Sequence, residues 1–327
     1  MTRPWVGGAG VLLALFGLIA APQAAVAEDY PAKTVTIVVP AAAGGGIDIT
    51  ARWLAAELQA ALGQAFVVEN KGGASGNIGT QQVARSTPDG YTLLFTISGF
   101  LVTNPALFKA LPYDPVKDFA AVSMLLRSPH TFVVNKNFPA NSLKELAAYA
   151  KANPGKLTFG SPGVGSQTHI ASLLFGQMAN VQVTAVPYRG TGPAYNDLLS
   201  GTLGFFVNTT QQLLGPLQGH VIKPLAIANA TRHPLLPHIP TVAEAGMPGL
   251  EIDTWYALYA PAGTPHATVD KLAAAIKTIS ERPDFKSKVE KSGATMSYMG
   301  PAELGKYTAQ EVGHWTEVIR KLNIPPQ

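Results

Sequence analysis

The sequence predicts an α/β protein of two lobes. Three observations carry this prediction: short β-branched apolar runs alternate with stretches of helical periodicity; two successive strand-and-helix series of similar size follow one another; and 327 residues exceed one small domain.

The N-terminal segment stands apart from both series. Arg3 precedes an apolar run, Val6 to Ala21, without an ionisable side chain, and Ala25-Val26-Ala27 forms an A-x-A pattern before Glu28-Asp29. This predicts a secretory signal over residues 1–27, cleaved after Ala27, and a mature protein in a bacterial periplasm. A spanning helix needs about 20 apolar residues, and Gly7, Gly8, Gly10 and Pro22 interrupt this one. With no cysteine in the chain, a disulfide framework, thiol catalysis, thiolate metal sites and a cysteine-linked lipid anchor are excluded. The net charge of +4 comes from scattered Lys and Arg, without a basic block or aromatic-basic interleaving, so nucleic acid is not an expected partner.

In the first series, residues 34–40 (TVTIVVP) read as a buried strand, followed at once by the Gly-rich AAAGGGID. Ile47, Ala51, Leu54, Ala55, Leu58 and Leu62 recur at helical spacing, with Gly63 as the stop. Residues 65–68 read as a strand, 77–85 as a helix and 92–96 as a strand, and the Pro-rich stretch 105–119 as a structured loop. In the second series, 131–134 is a strand, and Ser142 with Glu145 forms a capping box opening a helix to about Ala152. Residues 156–159 read as a strand, GSPGVGS as a loop and 167–179 as a helix. Strands near 183–186, 203–207 and 225–228 alternate with helices near 193–199 and 211–218. After the Pro-rich connector 233–240 come a strand at 255–260 and a helix to Ser280 with Thr264 as N-cap and Pro265 at its first position. Pro301 opens a last helix ending near Leu322.

Two loops share one construction of buried strand, Gly/Ser-rich turn and helix: residues 41–48 and 160–169. A helix N-terminus presents unpaired N–H groups and about half a positive charge, which favours an anion, and glycines let a ligand approach the backbone. Each loop taken singly is also explained by turn geometry, but one per lobe predicts a cleft that grips an anionic ligand at the carboxyl ends of the strands. The second loop is the richer in side-chain donors: Ser161, Ser166, Thr168 and His169, with Ser166 also the natural N-cap. Asp48 reads as a cap or dipole partner, since a carboxylate beside a bound anion repels it.

Known catalytic patterns are absent. The seven histidines show no metal-ligand spacing, and neither G-x-S-x-G nor G-x-x-x-x-G-K-[ST] occurs, so no cofactor and no metal are expected. Trp255 and Tyr256 either pack in the core or line the cleft.

Along essentially the whole mature chain the sequence resembles the Bug-type extracytoplasmic solute-binding proteins of tripartite tricarboxylate transporters. The likeness is carried in order by YPAKTVTIVVP, PAAAGGGID, ENKGGASGNIGTQQVA, PDGYTLLF, NPALFKALPYDPVKDF, GSPGVGSQTH, VPYRGTGPAYNDLLSG, LPHIPTVAEAGMPG and WYALYAPAGTP. The resemblance implies a two-lobed periplasmic binding protein fold of type II, with mixed, mostly parallel sheets flanked by helices and a ligand cleft between the lobes. Lobe 1 is then discontinuous, 28–131 and 252–327, and lobe 2 covers 132–251. It further implies a non-enzymatic, monomeric receptor that closes on a small carboxylate and delivers it to a membrane permease.

Carried over by position, Ala42, Ala43, Gly44 and Gly45 of the first loop contact the carboxylate end, with Ala41 also at the ligand, opposite a jaw of Ser161, Gly165, Ser166, Thr168 and His169. Asn77, Ser98 and Trp255 join from lobe 1, and Tyr188 and Asn208 from lobe 2. Two departures from the family pattern, Ala41 in place of an aromatic residue and Gly204-Phe205-Phe206-Val207-Asn208 in place of an acidic segment, lead to an expected dicarboxylate or aromatic carboxylate rather than an amino acid. Two rival readings are a secreted hydrolase using Ser161 or Ser166 with His169, and a binding protein serving a sensor kinase.

Overall fold

The computed structural model describes Met1, Thr2, Trp5, residues 30–188 and residues 190–326. The expected signal segment and its cleavage point lie outside the described residues, apart from those first three.

Strand β1 (Val35–Val39) lies between β2 (Phe66–Asn70) and β3 (Thr92–Ile97), parallel to both. Its VTIVV run does not alternate because both faces are covered, as in other parallel sheets. Helix α1 (Gly46–Leu62) buries Ile47, Ala51, Leu54, Ala55 and Leu58, the face that the periodicity predicts, and ends where Gly63 adopts a left-handed φ of 73°. Burial of each such leucine contributes about 1.5–3 kcal/mol. Helix α2 (Asn77–Ala84) follows β2, and a wide turn at Gly99–Thr103 leads into the short α3 (Asn104–Leu107), inside what reads from sequence as a loop.

The strand expected at 131–134 is the far end of a much longer one, β4 (Phe119–Asn135). It is buried along nearly its whole length, so it lacks the alternation that marks a strand, and Pro129 lies within it. Its partners change at that proline. Phe119 to Pro129 pair antiparallel with β9 (Asp253–Pro261), whereas His130 to Asn135 pair with β7 (Phe206–Thr209) and β8 (Ile222–Ile227). β9 also pairs with β3, giving the order β10-β4-β9-β3-β1-β2 with β10 (Thr295–Met299) at the edge.

Around the far end of β4 are α4 (Leu143–Ala152), β5 (Thr158–Ser161), α5 (Gln167–Ala179), β6 (Thr184–Pro187), α6 (Thr191–Ser200) and α7 (Thr210–Gln218). β5 and β6 run parallel, and a bridge from Phe159 to Phe205 ties them to the segment entering β7. The chain closes with α8 (His266–Glu281), α9 (Pro283–Lys291), β10 and α10 (Pro301–Lys321). α8 begins one residue later than expected: Pro265 is the cap, and the Thr264 hydroxyl donates instead to the Pro261 carbonyl at 2.8 Å. α9 and β10 have no counterpart in the sequence reading, being short and largely polar or half-exposed. Among the described residues no helix is long and apolar enough to cross a membrane.

Candidate functional site

A cavity of about 1020 Å³ opens between the two groups of elements. Its walls come from the loop after β1, the loop between β2 and α2, the turn before α3, the changeover point of β4, the loop before α5, and the start of α7. No Lys, Arg, Asp or Glu lines it among the described residues.

The helix behind the second loop is open toward this space. Ser166 is the N-cap of α5, its hydroxyl oxygen accepting from the His169 N–H at 3.2 Å, and Ser166, Gln167 and Thr168 all line the cavity. A hydroxyl that accepts one bond still has its own proton to donate. The N–H groups of Gln167 and Thr168, in the first turn, have no carbonyl four residues back to meet. That cluster of donors, with the helix dipole behind it, can hold a carboxylate without a side-chain cation.

The first loop is built differently. Ala41 and Ala42 line the cavity, but Ala43, Gly44 and Gly45 do not. The Gly44 N–H donates to the Asp48 carboxylate at 2.8 Å, and Arg52 binds the same carboxylate at 3.0 Å. Burial works to raise the Asp48 pKa, yet the Gly44 N–H and the Arg52 guanidinium outweigh it and hold the carboxyl below its ordinary range. The positive end of α1 therefore already carries an anion of its own.

Several other predicted residues serve the walls from behind. Ser98, fully buried, donates to Gln167 Oε1 at 3.1 Å and accepts from the Trp255 N–H at 3.3 Å. Asn77 Oδ1 accepts from Asn104 at 2.7 Å and from the Tyr113 hydroxyl at 2.9 Å, while Asn104 also donates to the Ser75 carbonyl. This braces the 72–76 turn, which lines the cavity and in which Gly73, Ala74, Ser75 and Gly76 all have positive φ. Tyr188 donates to Asp197 at 2.6 Å and lies off the cavity wall, whereas Asn208 and Gly165 lie on it. Trp255 sits in the core with no exposed surface, and its neighbour Tyr256 reaches the cavity, because successive side chains of β9 point to opposite faces. Phe205 and Phe206 are likewise fully buried in the core and add no aromatic wall to the cavity; Phe100 and Tyr256 supply it.

Ser161 and His169 do meet, Oγ to Nδ1 at 2.8 Å. Ser161 also donates to the Gly163 carbonyl at 3.1 Å, so its proton has an acceptor other than the imidazole. Neither residue lines the cavity, and burial lowers the His169 pKa. The pair ties β5 and the 162–165 loop to α5 and lacks the exposed nucleophile a hydrolase needs.

Sequence reading misses His130, Thr209, Gln212, Thr254 and the 72–76 turn, all on the cavity wall. The glycines of GGASG are a signal for the turn; the others are placed by strand pairing between distant segments.

The profile of the tripartite tricarboxylate transporter family receptor matches residues 50–324. The chain belongs to this family. As such it is a periplasmic solute-binding receptor, and the two-lobed periplasmic binding protein fold expected from sequence is the fold observed. BugT of Bordetella pertussis is 35% identical over 316 residues, 95% of either chain. Among solved receptors, Rpa4515 of R. palustris with adipate superposes with a TM-score of 0.86 at 35% identity, covering 91% of this chain and 100% of that one. MatC of Rhodopseudomonas palustris with bound malate gives 0.81 at 34% identity, covering 89% and 100%.

Proposed function

We propose that this receptor binds a small carboxylate in the cavity, with the carboxylate at the N-terminus of α5 and the rest of the ligand against Ile97, Phe100, Leu107 and Tyr256. The observation that carries this reading is the donor cluster of Ser166, Gln167 and Thr168 opening into a cavity with a largely apolar wall. Cavities of this size suit small ligands of up to drug-like dimensions. Adipate and malate, carried by the related R. palustris proteins, support a carboxylate as the ligand class.

In this reading the chain acts as a monomer, residues 1–27 are removed on export, and the closed, loaded receptor delivers its ligand to a membrane permease. The lobes divide at 131–132 and 251–252, a division supported by the change of partners along β4 and by the return of β9 to β3. Titration calorimetry on unfolded, ligand-stripped and refolded protein, with mono-, di- and aromatic carboxylates, tests the binding. Micromolar or tighter affinity for at least one, about −8 kcal/mol or better, is the expected result; no binding to any of them overturns the reading.

A further inference from the structure

We infer that His130 and Thr209 form a second polar anchor on the cavity wall, which receives an uncharged hydroxyl carried by the ligand away from its carboxylate. This rests on the carboxylate reading above and adds the feature by which the receptor selects among carboxylates.

The two residues stand directly opposite each other where β4 pairs with β7, so their side chains leave the same face of the sheet. Directly opposed residues hold their Cβ atoms about 4.5–5.5 Å apart, close enough to grip one small group. Both line the cavity, and they are only 2% and 4% exposed. His130 Nδ1 and Thr209 Oγ1 are nevertheless without a hydrogen-bond partner in the protein. Their neighbours are satisfied: Thr131 bonds Thr210, Thr210 bonds the Pro129 carbonyl, and Asn208 bonds Gln212. Two adjacent orphans among paired groups, both on residues that line the cavity, are the polar complement of something that enters it.

The chemistry of the pair selects the group. Thr209 can donate or accept, and the free imidazole nitrogen does one or the other according to its tautomer. A hydroxyl, which donates and accepts at once, satisfies both tautomers. Burial, opposed by a hydrogen bond at the Ile252 backbone, lowers the His130 pKa to about 4, so the ring is neutral near pH 7 and both partners of the hydroxyl are uncharged. The ligand class is therefore a hydroxy-substituted carboxylate.

Matched series test this by calorimetry: benzoate, 4-hydroxybenzoate and terephthalate; hexanoate, 6-hydroxyhexanoate and adipate. In at least one series the wild-type protein should prefer the hydroxy member over the unsubstituted one by about tenfold. Thr209→Val, nearly isosteric, should bring that ratio close to one, and Thr209→Ser should restore it. His130→Leu provides the same readout should Thr209→Val fail to fold, as judged by its melting curve. A wild-type preference for the dicarboxylates, no preference within either series, or a ratio unmoved by the variants overturns the anchor while leaving carboxylate binding intact. Absence of binding across both series sinks the carboxylate reading and this inference with it.

Discussion

Ser98 and Gln167, 69 residues apart in sequence, meet at the cavity's edge: the serine hydroxyl donates to the glutamine carbonyl oxygen at 3.1 Å. The same oxygen accepts from Thr254 at 2.6 Å, and Gln167 Nε2 donates to the Asp253 carbonyl at 2.7 Å. One side chain from α5 thus joins β9 and the end of β3 across the cleft. Gln167→Ala leaves buried hydroxyls short of a partner, at a cost of about 1–3 kcal/mol to the arrangement that this side chain bridges. Ligand affinity should fall roughly tenfold, and small-angle scattering should show a more expanded liganded protein. Unchanged affinity together with an unchanged scattering profile would remove the latch role.

Gly165 packs closely against Leu107, and both line the cavity. A Cβ on Gly165 would lie 2.2 Å from Leu107 Cδ1, and its φ is +74°, in the left-handed region. Gly165→Ala should weaken binding by about tenfold or more, through both strain and steric exclusion. Adding Leu107→Ala should recover part of the loss, and calorimetry on the two variants measures how much. A double variant no better than Gly165→Ala argues that backbone strain alone is responsible.

Ser166→Ala removes the cap of α5 and one donor of the carboxylate site. Stability should drop by about 1 kcal/mol, read from the melting temperature, and carboxylate affinity should drop as well. Ester hydrolysis offers the counter-test. Neither wild type nor His169→Ala should turn over a p-nitrophenyl ester above background, and turnover abolished in His169→Ala would revive a hydrolase built on Ser161.

Acid should loosen the protein through His130. Its folded pKa lies near 4, below the ordinary 6.5, so between those values the unfolded chain binds more protons than the native one. Stability therefore falls as pH drops from about 6.5 to about 4 and levels off below, by on the order of 3 kcal/mol for this group. Buried His169 and His233 act in the same direction. Asp48, held below its ordinary range, contributes only at more acidic pH, where its carboxylate takes up a proton. Urea midpoints between pH 7.5 and 4.5 should show a shallower slope for His130→Asn than for wild type; equal slopes would place the buried charge elsewhere.

Features that depend on neighbouring residues were legible in the sequence. The Ser142–Glu145 capping box forms with a 3.1 Å bond, although the Glu145 carboxylate reaches back to the Asn141 N–H rather than to that of Ser142. α5 occupies Gln167–Ala179, the span its periodicity and cap predict, and Asp48, read as a cap or dipole partner, lies in the first turn of α1 and accepts from the Gly44 N–H. What escaped is set by pairing at a distance. Nothing local in Ser-Pro-His announces that His130 will face Thr209, because the register joining them is fixed by the whole of β4 and β7. Trp255 and Tyr256 differ by one position in a strand, and only the packing of β9 between β3 and β4 decides which of them meets the cavity.

The double membership of β4 bears on how the cavity can change shape. One continuous strand is hydrogen-bonded to β9 up to Pro129 and to β7 and β8 beyond it, so any rotation of one half against the other passes as torsion through the residues around His130 and through the neighbouring segment at Ile252. Displacement is smallest at such a pivot and grows with distance from it. His130, at that crossing, then keeps its place in any such rotation better than Gly165 and Leu107, cavity residues that stand on segments away from it.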